Sequence, residues 1–137
     1  MMSMAYWLSG SINIQPSIAY IRKGVVAKSN CDMMPFVIKD TACITENIAS
    51  GSNGGGIFLH QAAFGVNITN NLIVENTALD GGGLYAANSS SPSLTNNTIA
   101  YNMATGNGGG IHCGTFSSMT LINTILWGNS ATAGKDI

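Results

Sequence analysis

Gly54-Gly55-Gly56-Ile57, Gly81-Gly82-Gly83-Leu84 and Gly108-Gly109-Gly110-Ile111 are three copies of one unit, a glycine triplet followed by an aliphatic residue. Their starts are 27 residues apart both times (81−54 and 108−81). A fixed period of this size is the mark of stacked supersecondary units, none of which can bury its apolar face alone. Four further segments fall into line when anchored on Asn47, Asn76, Asn102 and Asn129, with spacings of 29, 26 and 27 (76−47, 102−76, 129−102). Three residues before each anchor stands a large aliphatic (Ile44, Ile73, Ile99, Leu126), and two after it an alanine (Ala49, Ala78, Ala104, Ala131). Six residues before, the column reads Thr41, Asn70, Asn96, Asn123. Eight before, it reads Ile68, Leu94 and Leu121, with Ile38 filling that place in the first segment.

The apolar columns come in pieces of a few residues with period two, cut by Asn or Gly. That is a strand, a corner and another strand, whereas a helical repeat needs ten or more residues at a period of 3.6. The composition agrees, with Asn, Gly, Thr and Ile in place of strong helix formers. The reading is an all-β chain: a single-stranded right-handed parallel β-helix of about four coils of ~27 residues with three short strands each, stacked at ~4.8 Å. Residues 1–30 lack the repeat and are read as an irregular N-terminal cap or a degenerate first coil; residues 31–137 carry the coils.

In such a stack asparagine has two uses. It tolerates the left-handed backbone of a sharp corner, and its amide both donates and accepts, so that stacked copies bond up and down. Asn47, Asn76, Asn102 and Asn129, and likewise Asn70, Asn96 and Asn123, are therefore assigned to structural ladders. The glycine triplets mark a bend with positive φ or a close approach between coils. A phosphate-cradling loop would require a following helix N-terminus and usually a lysine, and neither is present.

Charged residues make up 8% of the chain and the net charge is −1, which leaves no electrostatic footprint for nucleic acid. No apolar run approaches the ~18 residues of a spanning helix, and the N-terminus lacks the basic start of a secretory signal. Cys31, Cys43 and Cys113 follow no metal-ligand spacing and read as small buried hydrophobes.

The alternation of glycine triplets with segments such as SPSLTNNTIAYNMA resembles the right-handed β-helix repeats of polymorphic outer-membrane-type and related bacterial surface proteins. The closing NTILWGNSATAGKDI is similar to the last repeat of proteins with a choice-of-anchor Q domain. The resemblance covers about Cys31 to Ile137 and implies an extracellular or cell-surface location, with an export signal and an anchor outside these residues. The chain is accordingly expected to be a segment of a longer protein. No cap is evident at Lys135-Asp136-Ile137, so end-to-end self-association is expected there.

β-Helix scaffolds also resemble those of pectate lyases and polygalacturonases, which implies clustered acids on one strand face. Of the acids here, Glu46 and Glu75 each precede an anchor asparagine and would stack on adjacent coils, but Tyr101 and Gly128 follow in that column, and solvated corner residues are the reading adopted. Asp80 takes a turn position held elsewhere by Asn53 and Asn107. Cys113 and His112 are neighbours in a strand and point to opposite faces, which excludes a nucleophile–base pair. No catalytic residue, metal ligand or cofactor is assigned. The residues that suit a binding surface follow the glycine triplets: Phe58, Tyr85, His112 and Phe116, aromatic groups among small polar ones. The expected function is a non-catalytic surface or secreted scaffold, adhesin-like, with a polysaccharide or surface glycan as partner. The alternative is a carbohydrate-active enzyme with an incomplete site.

Overall fold

The computed structural model describes residues 43–60 and 64–137, together with the backbone of three short strands before them. Those are β1 (Ala19–Ile21), β2 (Met33–Met34) and β3 (Val37–Ile38). The first coil continues from β3 through β4 (Cys43–Thr45), β5 (Ile48–Ala49) and β6 (Ile57–Leu59). The second holds β7 (Phe64–Thr69), β8 (Leu72–Val74), β9 (Thr77–Ala78) and β10 (Leu84–Ala86). The third holds β11 (Ser91–Thr95), β12 (Thr98–Ala100), β13 (Met103–Ala104) and β14 (Ile111–Cys113). The fourth has β15 (Thr120–Ile122) and β16 (Ile125–Trp127), then single bridges from Ser130 to Met103 and from Ala133 to Asn107. A full coil therefore has four strands rather than three, because the two residues around the alanine column pair as a strand of their own.

Like strands of successive coils stack in parallel and build four sheets, ordered β1-β6-β10-β14, β15-β11-β7-β3-β2, β16-β12-β8-β4 and β13-β9-β5. The register is in step, with Ile44, Ile73, Ile99 and Leu126 in one column and Ile38, Ile68, Leu94 and Leu121 in another. The chain is thus a parallel β-solenoid. The two exceptions lie at its N-terminal side, where β1 runs antiparallel to β6 and β2 antiparallel to β3, so neither continues the winding. Of the N-terminal portion at residues 1–30, only β1 is among the described residues.

The aliphatic columns point inward, and Ile44, Ile57, Leu59, Ile68, Ile73, Leu84, Leu94, Ile99 and Ile111 are 0% exposed. Each such side chain contributes about 1.5–3 kcal/mol by leaving water. Met119, Leu121 and Leu126 close this core at the fourth coil, partly buried.

Two corners per coil follow one rule: a left-handed residue, then a buried hydrogen-bonding side chain. At the first corner Asn70, Asn96 and Asn123 have φ of 58°, 56° and 47°. The inward column is the next residue, Asn71 and Asn97, both buried, and then the half-buried Thr124, with Asn71 Nδ2 donating to Asn97 Oδ1 (3.1 Å). The ladder assigned to Asn70, Asn96 and Asn123 thus lies one position further on, since the left-handed residue turns its own side chain outward. At the second corner the left-handed residues are Glu46, Glu75, Tyr101 and Gly128 (φ 60°, 58°, 54°, 62°). Behind them Asn47, Asn76, Asn102 and Asn129 stand in a column, all buried. The Nδ2 of Asn47, Asn76 and Asn102 donates to the Oδ1 of the asparagine above it (2.8, 2.9 and 3.0 Å), and that same Oδ1 also accepts the backbone N–H of the asparagine below (3.1, 3.0 and 3.0 Å). The second Nδ2 hydrogen of Asn76, Asn102 and Asn129 goes to the carbonyl of Ile44, Ile73 and Ile99.

The glycine corner has a third logic. The first glycine of each triplet has positive φ (68°, 63°, 60°), while the other two lie against the next coil. A Cβ on Gly56 or Gly83 would sit 2.7 or 2.6 Å from the carbonyl oxygen of Gly83 or Gly110.

Unfolding in urea checks the two kinds of column. Ile99→Ala should cost about 2–5 kcal/mol, while the outward Ile125→Ala should cost under about 1 kcal/mol. Asn97→Gly, which removes the Oδ1 acceptor of the Asn71 N–H and Nδ2 and the donor to the Ile68 carbonyl, should cost about 2–4 kcal/mol. Asn96→Gly, one residue earlier, should stay within about 1 kcal/mol of wild type, because glycine accepts the left-handed backbone.

Candidate functional site

With the inward positions taken by aliphatics and amides, ligand contact falls to the outward side chains and the corners. The sheet that follows the glycine corner carries an aromatic file. Phe58, Tyr85 and His112 are in register on β6, β10 and β14. Their rings stack at 5.5 Å (Phe58–Tyr85) and 5.1 Å (Tyr85–His112), with interplanar angles of 17° and 15°. The ring of His60 also stacks with that of Phe58, at 5.7 Å, and its Nε2 lies within hydrogen-bonding distance of Asn88 Nδ2. Both histidines therefore belong to one stack, which their different distances from the glycine triplets concealed. Coil spacing dictates the arrangement: rings one coil apart meet face to face. The consequence for binding is that Phe58 and Tyr85 turn their faces to each other rather than to a ligand. Phe116 does not join them. It projects from the loop after β14 with φ 56° and is 88% exposed.

A second aromatic pair lies on the sheet β16-β12-β8-β4 and its corner. Trp127 ends β16, and Tyr101 holds the left-handed corner position just after β12; the Tyr101 N–H donates to the Trp127 carbonyl (3.0 Å). Both rings are open to solvent, Tyr101 60% and Trp127 64% exposed. The ring of Tyr101 lies over the backbone of Gly128, whose Cβ would stand 2.8 Å from Cε1. Around them the outward residues are apolar or neutral: Leu72, Val74, Thr98 and Ile125 on the strands, and Met103 beyond the corner. Ala100 points outward by alternation yet is buried, between Val74 and Trp127 in register. Large rings at the outward ends of the segments TIAYN and ILWGN carried this signal in the sequence, but it was obscured because in a helix-free repeat each aromatic could equally face inward.

The acids among the described residues are accounted for by corners; Asp32 and Asp40 lie outside them. Glu46 and Glu75 are exposed holders of left-handed backbone. Asp80 Oδ1 accepts from the N–H and Nδ2 of Asn107 (2.7 and 3.0 Å), a short outer ladder beside the glycine triplet. Cys43 and Cys113 are free thiols, half-buried rather than buried as the sequence suggested, and desolvation pushes the Cys113 thiol up; Cys31 lies outside the described residues. Among the described residues there is no group of three or more His, Cys, Asp or Glu able to hold a metal ion, and no helix long and apolar enough to cross a membrane.

A search of curated proteins and one of solved structures each returned no match. A family model described as the right handed beta helix region matches residues 11–134. The match covers most of the chain and agrees with the in-register parallel coils, so the chain belongs to the right-handed β-helix family.

Proposed function

We propose that this chain is a non-catalytic β-helical module of a cell-surface or secreted protein, a rigid scaffold that holds out an adhesin-like, glycan-binding face. The pair Tyr101 and Trp127 is the observation that carries the reading. Two large rings, both more than half exposed, sit on adjacent coils of a sheet whose inner side is locked by buried isoleucine and asparagine columns. Exposed aromatic groups on a rigid surface mark interaction sites. Amphipathic rings beside threonine hydroxyls suit the apolar faces and hydroxyl edges of pyranose sugars. The nearby ionisable corner residues, Glu46 and Glu75, favour a neutral glycan over an anionic one. The file of Phe58, Tyr85 and His112 serves the scaffold instead, since its stacked faces fasten coil to coil.

Affinity electrophoresis in gels containing neutral soluble polysaccharides (dextran, mannan, laminarin, xyloglucan) tests this. At least one should retard the protein, and Trp127→Ala and Tyr101→Ala should each weaken that binding by about tenfold, without moving the thermal midpoint by more than a few degrees. No retardation in any gel, or retardation that both variants retain in full, would reject the glycan face.

A further inference from the structure

The last four residues, Gly134-Lys135-Asp136-Ile137, form a fourth corner of the kind made by the glycine triplets. Gly134 has φ 57°, matching the first glycine of each triplet. The N–H groups of Gly109, Gly110 and Ile111 donate to the carbonyls of Gly134, Lys135 and Asp136 (3.1, 3.1 and 2.9 Å). Those of Gly82, Gly83 and Leu84 donate to Gly108, Gly109 and Gly110 in the same pattern (3.1, 3.2 and 2.9 Å). Lys135 and Asp136 consequently occupy the second and third glycine places of the corner.

Those two places are the ones where no side chain fits beneath another coil. A Cβ on Gly109 would be 2.5 Å from the Lys135 carbonyl oxygen, and one on Gly110 would be 2.7 Å from that of Asp136. Gly56 and Gly83 show the same approach to the coil above them, at 2.7 and 2.6 Å. Backbone cannot yield to such contacts without losing the hydrogen bonds of the corner. A further coil laid on the fourth in this register would meet the Cβ atoms of both Lys135 and Asp136.

The amide ladder stops at the same place. Asn129 Nδ2, which in the lower coils would donate to the next asparagine, donates to Asp136 Oδ1 (2.9 Å). An asparagine passes the chain of bonds on through its own Nδ2, whereas an ionised carboxylate only accepts.

We propose that Lys135 and Asp136 are a built-in stop, which closes the C-terminal side of the solenoid to any further coil in register. Here the charged pair guards an exposed sheet end, where Leu121, Leu126 and Ile137 would otherwise offer an apolar cross-section for stacking. In-register growth from this corner is thereby excluded.

Two extended chains and one variant of the full chain test the stop. A copy of residues 112–137 is appended after Ile137, once behind the native corner and once behind K135G/D136G. Limited proteolysis with mass mapping should find the appended copy cut at least about tenfold more slowly in the K135G/D136G chain, where it stacks, than behind the native corner. In the unextended chain, G109K/G110D should expose residues 111–137 to protease while residues 43–108 keep their protection. A copy protected behind the native corner overturns the proposal. So does a copy equally exposed in both extended chains, or a fourth coil that stays protected in G109K/G110D.

Discussion

Amide groups bonded along the axis of the solenoid hold its corners together, and most other features follow from them. A chain that turns sharply between two short strands leaves backbone groups inside the wall with no strand partner. The column Asn47, Asn76, Asn102, Asn129 meets them by taking a backbone N–H and a side-chain amide from one coil and giving two hydrogens to its neighbours. Bonds of this kind, shielded from water, are costly to leave unmade. The amide-to-amide bonds also have a direction, since each runs from an Nδ2 to the Oδ1 of the next coil on the C-terminal side. The Oδ1 of Asn47, at the acceptor end, is buried and has no hydrogen-bond partner among the described residues, while the donor end is met by Asp136.

The corner rule explains the variety of residues in front of the ladder. Position by position, Glu46, Glu75, Tyr101 and Gly128 share only a backbone conformation, with the side chain turned outward. That freedom is where the surface acquires character. Glutamate in the first two coils keeps the corner solvated, and tyrosine in the third, resting on glycine in the fourth, makes it aromatic. Function in a repeat scaffold of this kind belongs to such outward positions, because the inward ones are tied to coil stacking.

Glycine at the third corner follows from distance. Coils approach each other there with carbonyl oxygens inside the space of a Cβ, so three coils carry paired glycines and the fourth, with lysine and aspartate, differs in what can lie above it. The aromatic file on the adjoining sheet depends on the same close spacing, which brings rings of successive coils to 5.1–5.5 Å and leaves their faces occupied by each other.

The all-β class, the coil period and the inward aliphatic columns were determined by the sequence alone, because strands one coil apart must repeat their inward residues at the length of the coil. Ile38 could even be placed opposite Ile68 although the segment from it to its asparagine anchor is one residue longer than in the other coils. Which asparagine of the pairs Asn70-Asn71 and Asn96-Asn97 faces inward was decided by the tertiary structure. A single left-handed residue reverses the direction of the side chain, and either asparagine can take that backbone. The constant step of three from Ile68 to Asn71 and from Leu94 to Asn97, equal to the step from Ile44 to Asn47, was the available clue. Whether rings face a ligand or each other, and whether Lys135 and Asp136 are a tail or a closed corner, also depended on the stacked coils. These are properties of contacts between residues some 27 positions apart, and they exist only once one coil lies on the next.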